Sequence, residues 1–324
     1  MYLIRGQKNI ELFQKRFPNI GLSATIGNFD GMHLGHKAIL EKVKKNALER
    51  NLSSLVIFTE PHAAEYFSKI NNSTPPPRII PWRDKLRLIS MNEIDFCMLL
   101  KFNESLKSMT PEEFTKKILE KLKIKSLTIG DDFKFGKDRK GDYAFLQSWG
   151  DSNGIEIHKT DTVKTNGKRV SSTRIREALI LNDFVSANAM LNWDYSYSGK
   201  VVYGSQLGRE IGVPTANIWI PKQKLPISGV YAVRCTVNGS NYLGIANMGV
   251  RPTVGGGRPV LETHIFDFEK DIYGTRITVQ FVEKIREEEK FDSVEILKSQ
   301  IKKDIEKAKQ ILKLDKWKKI TKIP

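Results

Sequence analysis

Two histidines three residues apart are the first residues in this sequence whose spacing suggests chemistry. His33 and His36 lie in the stretch TIGNFDGMHLGHKAIL, where a short β-rich run gives way to a helical pattern. At positions i and i+3 both imidazoles face the same side of the first helical turn, where free N–H groups and the helix dipole favour an anion. A zinc site is the weaker interpretation, because zinc needs three or four ligands and His62, His158 and His264 lie in unlike contexts.

A second candidate segment is RVSSTRIREAL, residues 169–179. Its hydroxyl and guanidinium side chains belong to Ser171, Ser172, Thr173, Arg174 and Arg176. One hydroxyl is enough to cap a helix, whereas hydroxyls, free amides and guanidinium groups together suit a triphosphate. Helix capping with solvated arginines is the alternative interpretation.

The elements that must position these residues alternate between strand and helix patterns over about the first 185 residues. SATIG, SSLVIF, DFCMLLKF and SLTIG are predicted strands, and KAILEKVKKNALER is a predicted amphipathic helix. TPEEFTKKILEKL predicts a helix with Thr110 as N-cap, Pro111 in the first position and Glu113 completing a capping box. Strands that alternate with helices predict a parallel sheet with helices on both faces.

After REALILNDFVSANAML the pattern changes to strands separated by turns. These strands are GKVVYG, GVYAVRCTV, NYLGIANMG, VLETHIFDF and TRITVQFVEKI. Asn238-Gly239 predicts a tight hairpin between the second and the third. Apolar residues then recur at helical spacing at Leu297, Ile301, Ile305, Ala308 and Leu312. The pattern predicts an antiparallel barrel or sandwich closed by a C-terminal helix, and hence two domains, 1–186 and 187–324.

Composition narrows the class of protein. The 324 residues are 40% hydrophobic and 28% charged, which is typical of a globular chain with about two domains. No apolar run approaches the roughly 20 residues of a membrane span, and the start lacks an apolar leader segment, so we expect a cytoplasmic protein without a membrane partner. Cys97 and Cys235 lie in apolar runs and are expected to be reduced core residues.

The net charge of +16 has three interpretations: nucleic-acid binding, a preference for phosphorylated small molecules, or a lysine-rich composition. Much of the excess lies near the C-terminus, where helical spacing leaves the lysines on an outer face. Because no helix-turn-helix, aromatic RNA-binding strand or zinc spacing accompanies the charge, we expect no specific nucleic-acid partner.

Taken together, the motifs resemble a known family. GNFDGMHLGH with SSTRIR resembles the nucleotidylyltransferases, and GDDFKFGKDRKGD is similar to the flavin-side motif of bacterial bifunctional riboflavin kinase/FAD synthetases. GREIGVPTANI, GVYAV, ANMGVRPTVGG, LETHIFDF, DIYG and IREEEKF follow in the order of the riboflavin-kinase module. The resemblance covers nearly the whole chain. Ala63, Lys134, Val213 and Ser228 depart from the usual Pro, Arg, Phe and Pro, which bears on substrate affinity.

This resemblance implies an N-terminal α/β nucleotidylyltransferase domain, Rossmann-like with a parallel sheet, and a C-terminal antiparallel β-barrel with a terminal helix. The barrel would phosphorylate riboflavin with ATP to FMN, and the N-terminal domain would adenylylate FMN with ATP to FAD, releasing pyrophosphate. The partners implied are riboflavin, FMN, FAD and ATP, with Mg²⁺ as the cofactor that accompanies ATP. The oligomeric state stays open.

Adenylyl transfer needs no general base, because the attacking FMN phosphate is already an anion, but it needs donors for charge on the phosphorus oxygens. The predicted donors are His33, His36, Ser172, Thr173, Arg174 and Arg176. By resemblance, Asn28 and Asp30 would help hold the nucleotide, and Gly27 and Ser171 are predicted to contact it as well. By resemblance, Asp132, Phe133 and Phe135 line the flavin side, with His62 near the phosphates. DDFKFG has a second interpretation, a strand end followed by a loop with both phenylalanines in the core.

Riboflavin phosphorylation differs, since a primary alcohol attacks and a general base is useful. In PVLETHIFDF, strand alternation places Glu262 on a largely apolar face, and Glu262 is the predicted base. The alternative interpretation is a glutamate on an edge strand that faces solvent. In VPTANI, Thr215 and Asn217 alternate onto one face and are the predicted magnesium-side pair. The adjacent loop, predicted to wrap phosphates, contains Gly204, Gly208 and Gly212.

Two other functions stay open at this point. One is an adenylyltransferase for a different phosphate acceptor, in which the barrel is kept only for kinase activity. The other is a flavin-binding or RNA-binding protein whose catalytic sites are vestigial.

Overall fold

The computed structural model describes residues 1–204, 208, 211–221, 225–251 and 258–314. They form two compact units. Unit 1 contains residues Met1–Pro76 and Lys85–Ser171, and unit 2 contains Pro77–Asp84 and the chain from Ser172 onward. The predicted domain boundary between residues 186 and 187 stays a prediction.

Unit 1 is built on a parallel sheet. Its strands are β1 (Tyr2–Arg5), β2 (Leu22–Ile26), β3 (Ser53–Glu60), β4 (Phe96–Lys101), β5 (Ile124–Ile129) and β6 (Glu156–Lys159). They lie in the order β1-β4-β3-β2-β5-β6, and every neighbouring pair runs parallel. The central strands are almost wholly buried runs, as expected for a sheet covered on both faces. The predicted parallel sheet is confirmed.

The helices of this half of the chain connect the strands. They are α1 (Ile10–Arg16), α2 (Leu34–Glu49), α3 (Ala63–Ile70), α4 (Trp82–Met91), α5 (Glu104–Lys107), α6 (Pro111–Phe114) and α7 (Tyr143–Asn153). A short hairpin, β7 (Lys164–Thr165) and β8 (Lys168–Arg169), precedes the second candidate segment. The capping box is confirmed, since Thr110 Oγ1 accepts from Glu113 N at 3.2 Å and Glu113 Oε2 accepts from Thr110 N at 3.1 Å. The helix that it opens continues from Phe114 as a π-helix, Thr115–Glu120, rather than as regular α-helix.

Unit 2 is a barrel with helices. The strands are β9 (Ser196–Val202), β10 (Ala216–Ile218), β11 (Gly229–Val237), β12 (Ser240–Arg251), β13 (Arg258–Ile265) and β14 (Arg276–Arg286). They close antiparallel in the order β10-β13-β12-β11-β14-β9, so the barrel form of the prediction is confirmed. Asn238 and Gly239, at φ 49° and 81°, make the predicted tight hairpin between β11 and β12.

The helices of unit 2 include the predicted terminal helix. Those with bounds in the described residues are α8 (Ser172–Ile180), α9 (Phe184–Leu191) and α10 (Val294–Leu314). Ala308 and Leu312 of α10 are buried in one apolar cluster with Val230, Ala232 and Ile245 of the barrel. Among the described residues, no helix is both long enough and apolar enough to span a membrane.

Candidate active sites

The turn between β2 and α2 brings the two predicted histidines together. His33 is the N-cap of α2, and its Nδ1 accepts the backbone N–H of His36 at 3.3 Å. Since Nδ1 is an acceptor, a neutral His33 ring carries its proton on Nε2, which is then a hydrogen-bond donor. The two rings stack with centroids 3.6 Å apart. His33 therefore lies just before the helix rather than inside its first turn, and the capping bond selects its tautomer.

His36 is held as a neutral imidazole. Its ring contacts Phe29, with ring centroids 5.0 Å apart, and its Nδ1 is buried without a hydrogen-bond partner in the described part of the chain. Burial lowers the pKa of His36 well below 6.5, and nearby His33 and the Lys85 ammonium lower it further. Near neutral pH this side chain can offer a hydrogen bond but not a positive charge.

The backbone of this turn adopts uncommon conformations. Gly31 has φ 86°, and the non-glycine residues Phe29 and Met32 have φ 48° and 44°. Left-handed backbone at non-glycine residues persists where the surrounding contacts over-determine it, and it clusters at functional sites. Asp30, in the same turn, is only 2% exposed. Gly27 N donates to Ile57 O at 3.1 Å, which ties the start of the turn to β3.

Lys85 is a candidate functional residue that the sequence analysis missed. It is fully buried, and its Nζ lies 2.5 Å from the carbonyl oxygen of Asn28 and 2.9 Å from Nε2 of His62. The feature of the sequence that could have identified Lys85 is its position in α4. It precedes the buried Leu88 by three residues and the buried Ile89 by four. A lysine on the apolar face of a helix indicates a buried charge, and buried charges need partners.

The flavin-side motif forms a loop after β5. Asp132 is exposed and its carboxylate lies 3.0 Å from Arg169, which also pairs with Asp131 at 2.6 Å. Phe135 belongs to the core of unit 1, and Phe133 stacks on it with ring centroids 5.6 Å apart. The alternative of a strand end followed by a loop is confirmed for the backbone. The assignment of Asp132, Phe133 and Phe135 to flavin binding stays a prediction.

The hydroxyl and arginine segment surrounds the start of α8. Its buried positions are Ile175, Ala178 and Leu179, so the helix packs through one apolar face. Arg176 is half-buried, and its Nε donates to the carbonyl of Pro77 at 2.7 Å within unit 2. The predicted triphosphate contacts stay predictions for this set: Ser171, Ser172, Thr173, Arg174 and Arg176.

Unit 2 contains an open pocket of about 520 Å³ between the barrel strands and α10. Its polar walls include Thr215, Asn247, Glu262 and His264 from the barrel side. Its apolar walls include Val230, Ile245, Phe291, Leu297 and Ile301. The apolar stripe of α10 therefore changes role along its length: Ala308 and Leu312 fill the core, while Leu297 and Ile301 line the pocket.

Strand register places Glu262 in a row of polar side chains. Asn217 of β10 is paired with Glu262 of β13, and Glu262 is paired with Asn247 of β12. Directly paired residues of antiparallel strands project on the same face, so the carboxylate lies between two amides. Asn247 Nδ2 donates to Glu288 at 3.0 Å, whereas its Oδ1 is buried without a hydrogen-bond partner among the described residues. Since β13 has a strand on each side, the edge-strand alternative for Glu262 is wrong.

Gly204 and Gly208 leave room for the predicted magnesium-side pair. A Cβ on Gly204 would lie 2.5 Å from Cγ and Oδ1 of Asn217, which is itself 8% exposed. A Cβ on Gly208 would lie 2.5 Å from the carbonyl of Val213 and 3.3 Å from Oγ1 of Thr215. These glycines therefore set where the two side chains stand.

Gly212 has the left-handed φ of 81° that glycine adopts most readily. The rest of the predicted phosphate loop, residues 205–207, 209 and 210, lies outside the described residues, as do residues 252–256 of the ANMGVRPTVGG motif.

The chemistry of Thr215 and Asn217 fits Mg²⁺. A hydroxyl and an amide oxygen are hard ligands of the kind this ion takes, and Mg²⁺ keeps most of its other ligands from phosphates and water. Within the described ranges, no group of three or more His, Cys, Asp or Glu side chains is arranged to hold a metal. The assignment of Thr215 and Asn217 to the magnesium side stays a prediction.

A buried ion pair lies beside the same pocket. Arg286 Nε is 2.9 Å from Oδ2 of Asp304, and the two side chains are 16% and 4% exposed. Gln300 Nε2 donates to the other oxygen of Asp304 at 2.9 Å, and the Arg286 guanidinium lies 5.4 Å from the ring centroid of Phe291. This pair ties α10 to β14 across the wall of the pocket.

Comparisons with known proteins cover both halves of the chain. A family model described as FAD synthetase matches residues 18–174, and one described as riboflavin kinase matches residues 191–312. The chain is 40% identical to "Bifunctional riboflavin kinase/FMN adenylyltransferase" of Pseudomonas fluorescens, over 96% of this chain and 98% of that protein. It is 39% identical to the protein of the same name in Escherichia coli (strain K12), over 98% of this chain and 99% of that protein.

A solved structure is similar over nearly the same span. It is titled "Crystal Structure of Macrolide-efflux Protein from Streptococcus pneumoniae", with a TM-score of 0.72 and 28% identity, and the match covers 94% of this chain and 97% of that one.

Proposed function

The chain belongs to the bifunctional riboflavin kinase/FMN adenylyltransferase family, and we propose which of its residues carry each of the two reactions. One reaction phosphorylates riboflavin with ATP to give FMN. The other transfers the adenylyl group of ATP to FMN and gives FAD and pyrophosphate.

For riboflavin phosphorylation, Glu262 is the general base. Its carboxylate takes the proton of the primary hydroxyl while the hydroxyl oxygen bonds to the γ-phosphorus and ADP leaves. The observation that carries this assignment is the register, which puts Glu262 on the pocket wall between Asn217 and Asn247. When bound with ATP, Mg²⁺ supplies positive charge to the phosphate oxygens. Thr215 and Asn217 would hold it from the glycine-loop side.

The flavin ring of riboflavin would occupy the 520 Å³ pocket. A flat, largely apolar ring system matches the apolar walls formed by Ile245, Phe291, Leu297 and Ile301. Gly204, Gly208 and Gly212 would lie toward the phosphates of ATP. With the ring in this pocket, the ribityl chain of riboflavin would extend toward Glu262.

For adenylyl transfer, His33 and His36 act as donors and not as bases. A phosphate oxygen of FMN attacks the α-phosphorus of ATP, and the bond to the pyrophosphate oxygen breaks without removal of a proton from the nucleophile. His33 offers Nε2–H, because its Nδ1 is already occupied as the helix cap. Neutral His36 stacks beside it. Gly27, Asn28 and Asp30 form the turn against which the nucleotide would lie.

Separate assays of the two reactions test these assignments. Purified protein is supplied with riboflavin, ATP and Mg²⁺, or with FMN, ATP and Mg²⁺, and the flavins are resolved by chromatography. Asn217→Ala should raise the Mg²⁺ concentration needed for half-maximal FMN formation and leave FAD formation from FMN at the parent rate. An unchanged Mg²⁺ requirement for FMN formation would remove Asn217 from the metal side.

Two further proposals concern the setting of the enzyme. The positive net charge of +16 has a modest use in attracting polyanionic nucleotides. The cytoplasmic location and the lack of a specific nucleic-acid partner stay predictions from composition.

A further inference from the structure

Lys85 is a fully buried lysine for which neither proposed reaction has a use. From α4 its Nζ reaches the carbonyl of Asn28 at 2.5 Å and Nε2 of His62 at 2.9 Å, and it lies 4.7 Å from the ring centroid of Phe58. These partners belong to three other parts of unit 1: the turn after β2, the segment before α3, and β3 itself.

Placing an ammonium there is costly unless its donors are used. Transfer of a charged group from water into a protein interior is unfavourable unless hydrogen bonds and charge partners offset it. An ammonium has three N–H donors and no acceptor, so a carbonyl, a ring nitrogen and an aromatic face are suitable partners. A lysine so placed makes directional contacts that a methionine of similar length could not make.

The contact with Asn28 matters because of the turn that it stabilises. Asn28 precedes the left-handed residue Phe29 and begins the short segment that ends at the N-cap His33. The conformation of this segment determines where the His33 and His36 rings stand. A contact that holds one end of the segment therefore acts on both histidines.

We propose that Lys85 is a positioning residue for adenylyl transfer, whose ammonium holds the Asn28 carbonyl and the His62 ring and thereby the turn that presents His33 and His36. The inference rests on the proposed adenylyl-transfer site of unit 1. The charge of Lys85 also contributes, after burial and the charge of His33, to the lowered pKa of His36.

The test is Lys85→Met, with Arg83→Met as the matched control. Arg83 is an exposed cation on the same helix. In Lys85→Met, kcat for FAD formation from FMN should fall by about 10- to 100-fold, the scale of an error of about 1 Å in position, while KM for ATP changes by less than about threefold. FMN formation from riboflavin, measured on the same preparation, should stay at the parent rate. Arg83→Met should match the parent in both reactions.

A second measurement reports on the site without any turnover. With the five histidines labelled, NMR titration should show the pKa of His36 rising in Lys85→Met and unchanged in Arg83→Met. Within the described ranges, the charged or titratable groups that lower the pKa of His36 are His33 and Lys85, so the titration detects the removal of one cation. An unchanged His36 titration overturns the inference, and so does the parent kcat.

If Lys85→Met loses both activities, Lys85→Arg decides. Arginine keeps the charge, but its planar fork cannot place one nitrogen against both Asn28 and His62. We expect a reduced kcat for FAD formation, an unchanged KM for ATP and the parent His36 titration; the parent kcat in this variant overturns the proposal. Failure of the proposed adenylyl site is recognised separately, by His33 variants that form FAD at the parent rate.

Discussion

Gly204→Ala tests whether the position of Asn217 matters for riboflavin phosphorylation. The backbone of Gly204 does not have a left-handed φ, so alanine is acceptable there as far as the main chain is concerned. Its Cβ, however, would stand 2.5 Å from Cγ and Oδ1 of Asn217, where ordinary contact begins at 3.4 Å. The amide must therefore move by about 1 Å.

The size of the effect follows from that displacement. A misplacement of about 1 Å in a positioning group costs about 100-fold in rate, or about 2.7 kcal/mol in the activation free energy. We therefore expect FMN formation by Gly204→Ala to fall by about 100-fold at saturating riboflavin. FAD formation from supplied FMN should be unchanged, because unit 1 is not altered.

A double-mutant cycle identifies the cause. If the alanine acts by displacing the amide, adding Gly204→Ala to Asn217→Ala should lower FMN formation by little more than Asn217→Ala alone. Both reactions are measured on the same preparations, so that FAD formation reports on the amount of folded unit 1. The parent rate of FMN formation in Gly204→Ala would refute the argument. Fully additive losses would show that the damage lies somewhere other than Asn217.

The remaining predictions concern single side chains. Glu262→Gln should lower FMN formation by about 10²- to 10⁴-fold, as for a lost general base, with FAD formation intact; Glu283→Gln, an exposed change on β14, should match the parent. His33→Asn keeps a capping oxygen but loses the Nε2–H donor, so it should lower FAD formation by about 100-fold without loss of thermal stability. A His33→Asn variant that is stable and forms FAD at the parent rate would contradict the donor role. Asp304→Asn removes the charge that compensates the buried Arg286, and it should lower the free energy of unfolding, measured in urea, by about 2–3 kcal/mol. Glu306→Gln, in an exposed ion pair, should change the same quantity by less than about 0.5 kcal/mol. Equal losses in those two variants would contradict the burial argument.

The sequence by itself predicted the elements whose signals are local. Alternation of strand and helix patterns indicated the parallel sheet, and the capping box at Thr110 and the Asn238-Gly239 hairpin were confirmed where they were expected. The order of several uncommon motifs indicated both reactions. These features could be predicted because a helix period, a cap or a two-residue turn depends on neighbours within a few positions along the chain.

Contacts distant in sequence were decided only by the tertiary structure. Lys85 is separated from Asn28 by 57 positions, and nothing local shows that its ammonium enters the turn of the two histidines. Strand register decides that Glu262 lies between two amides. The path of the loops decides that Gly204 lies against Asn217 and that Phe135 enters the core. A one-residue change of register would move Glu262 to the other face of the sheet, although the local sequence pattern would be the same. Composition and spacing therefore select the side chains available for chemistry, whereas the packing of the elements decides which of them meet.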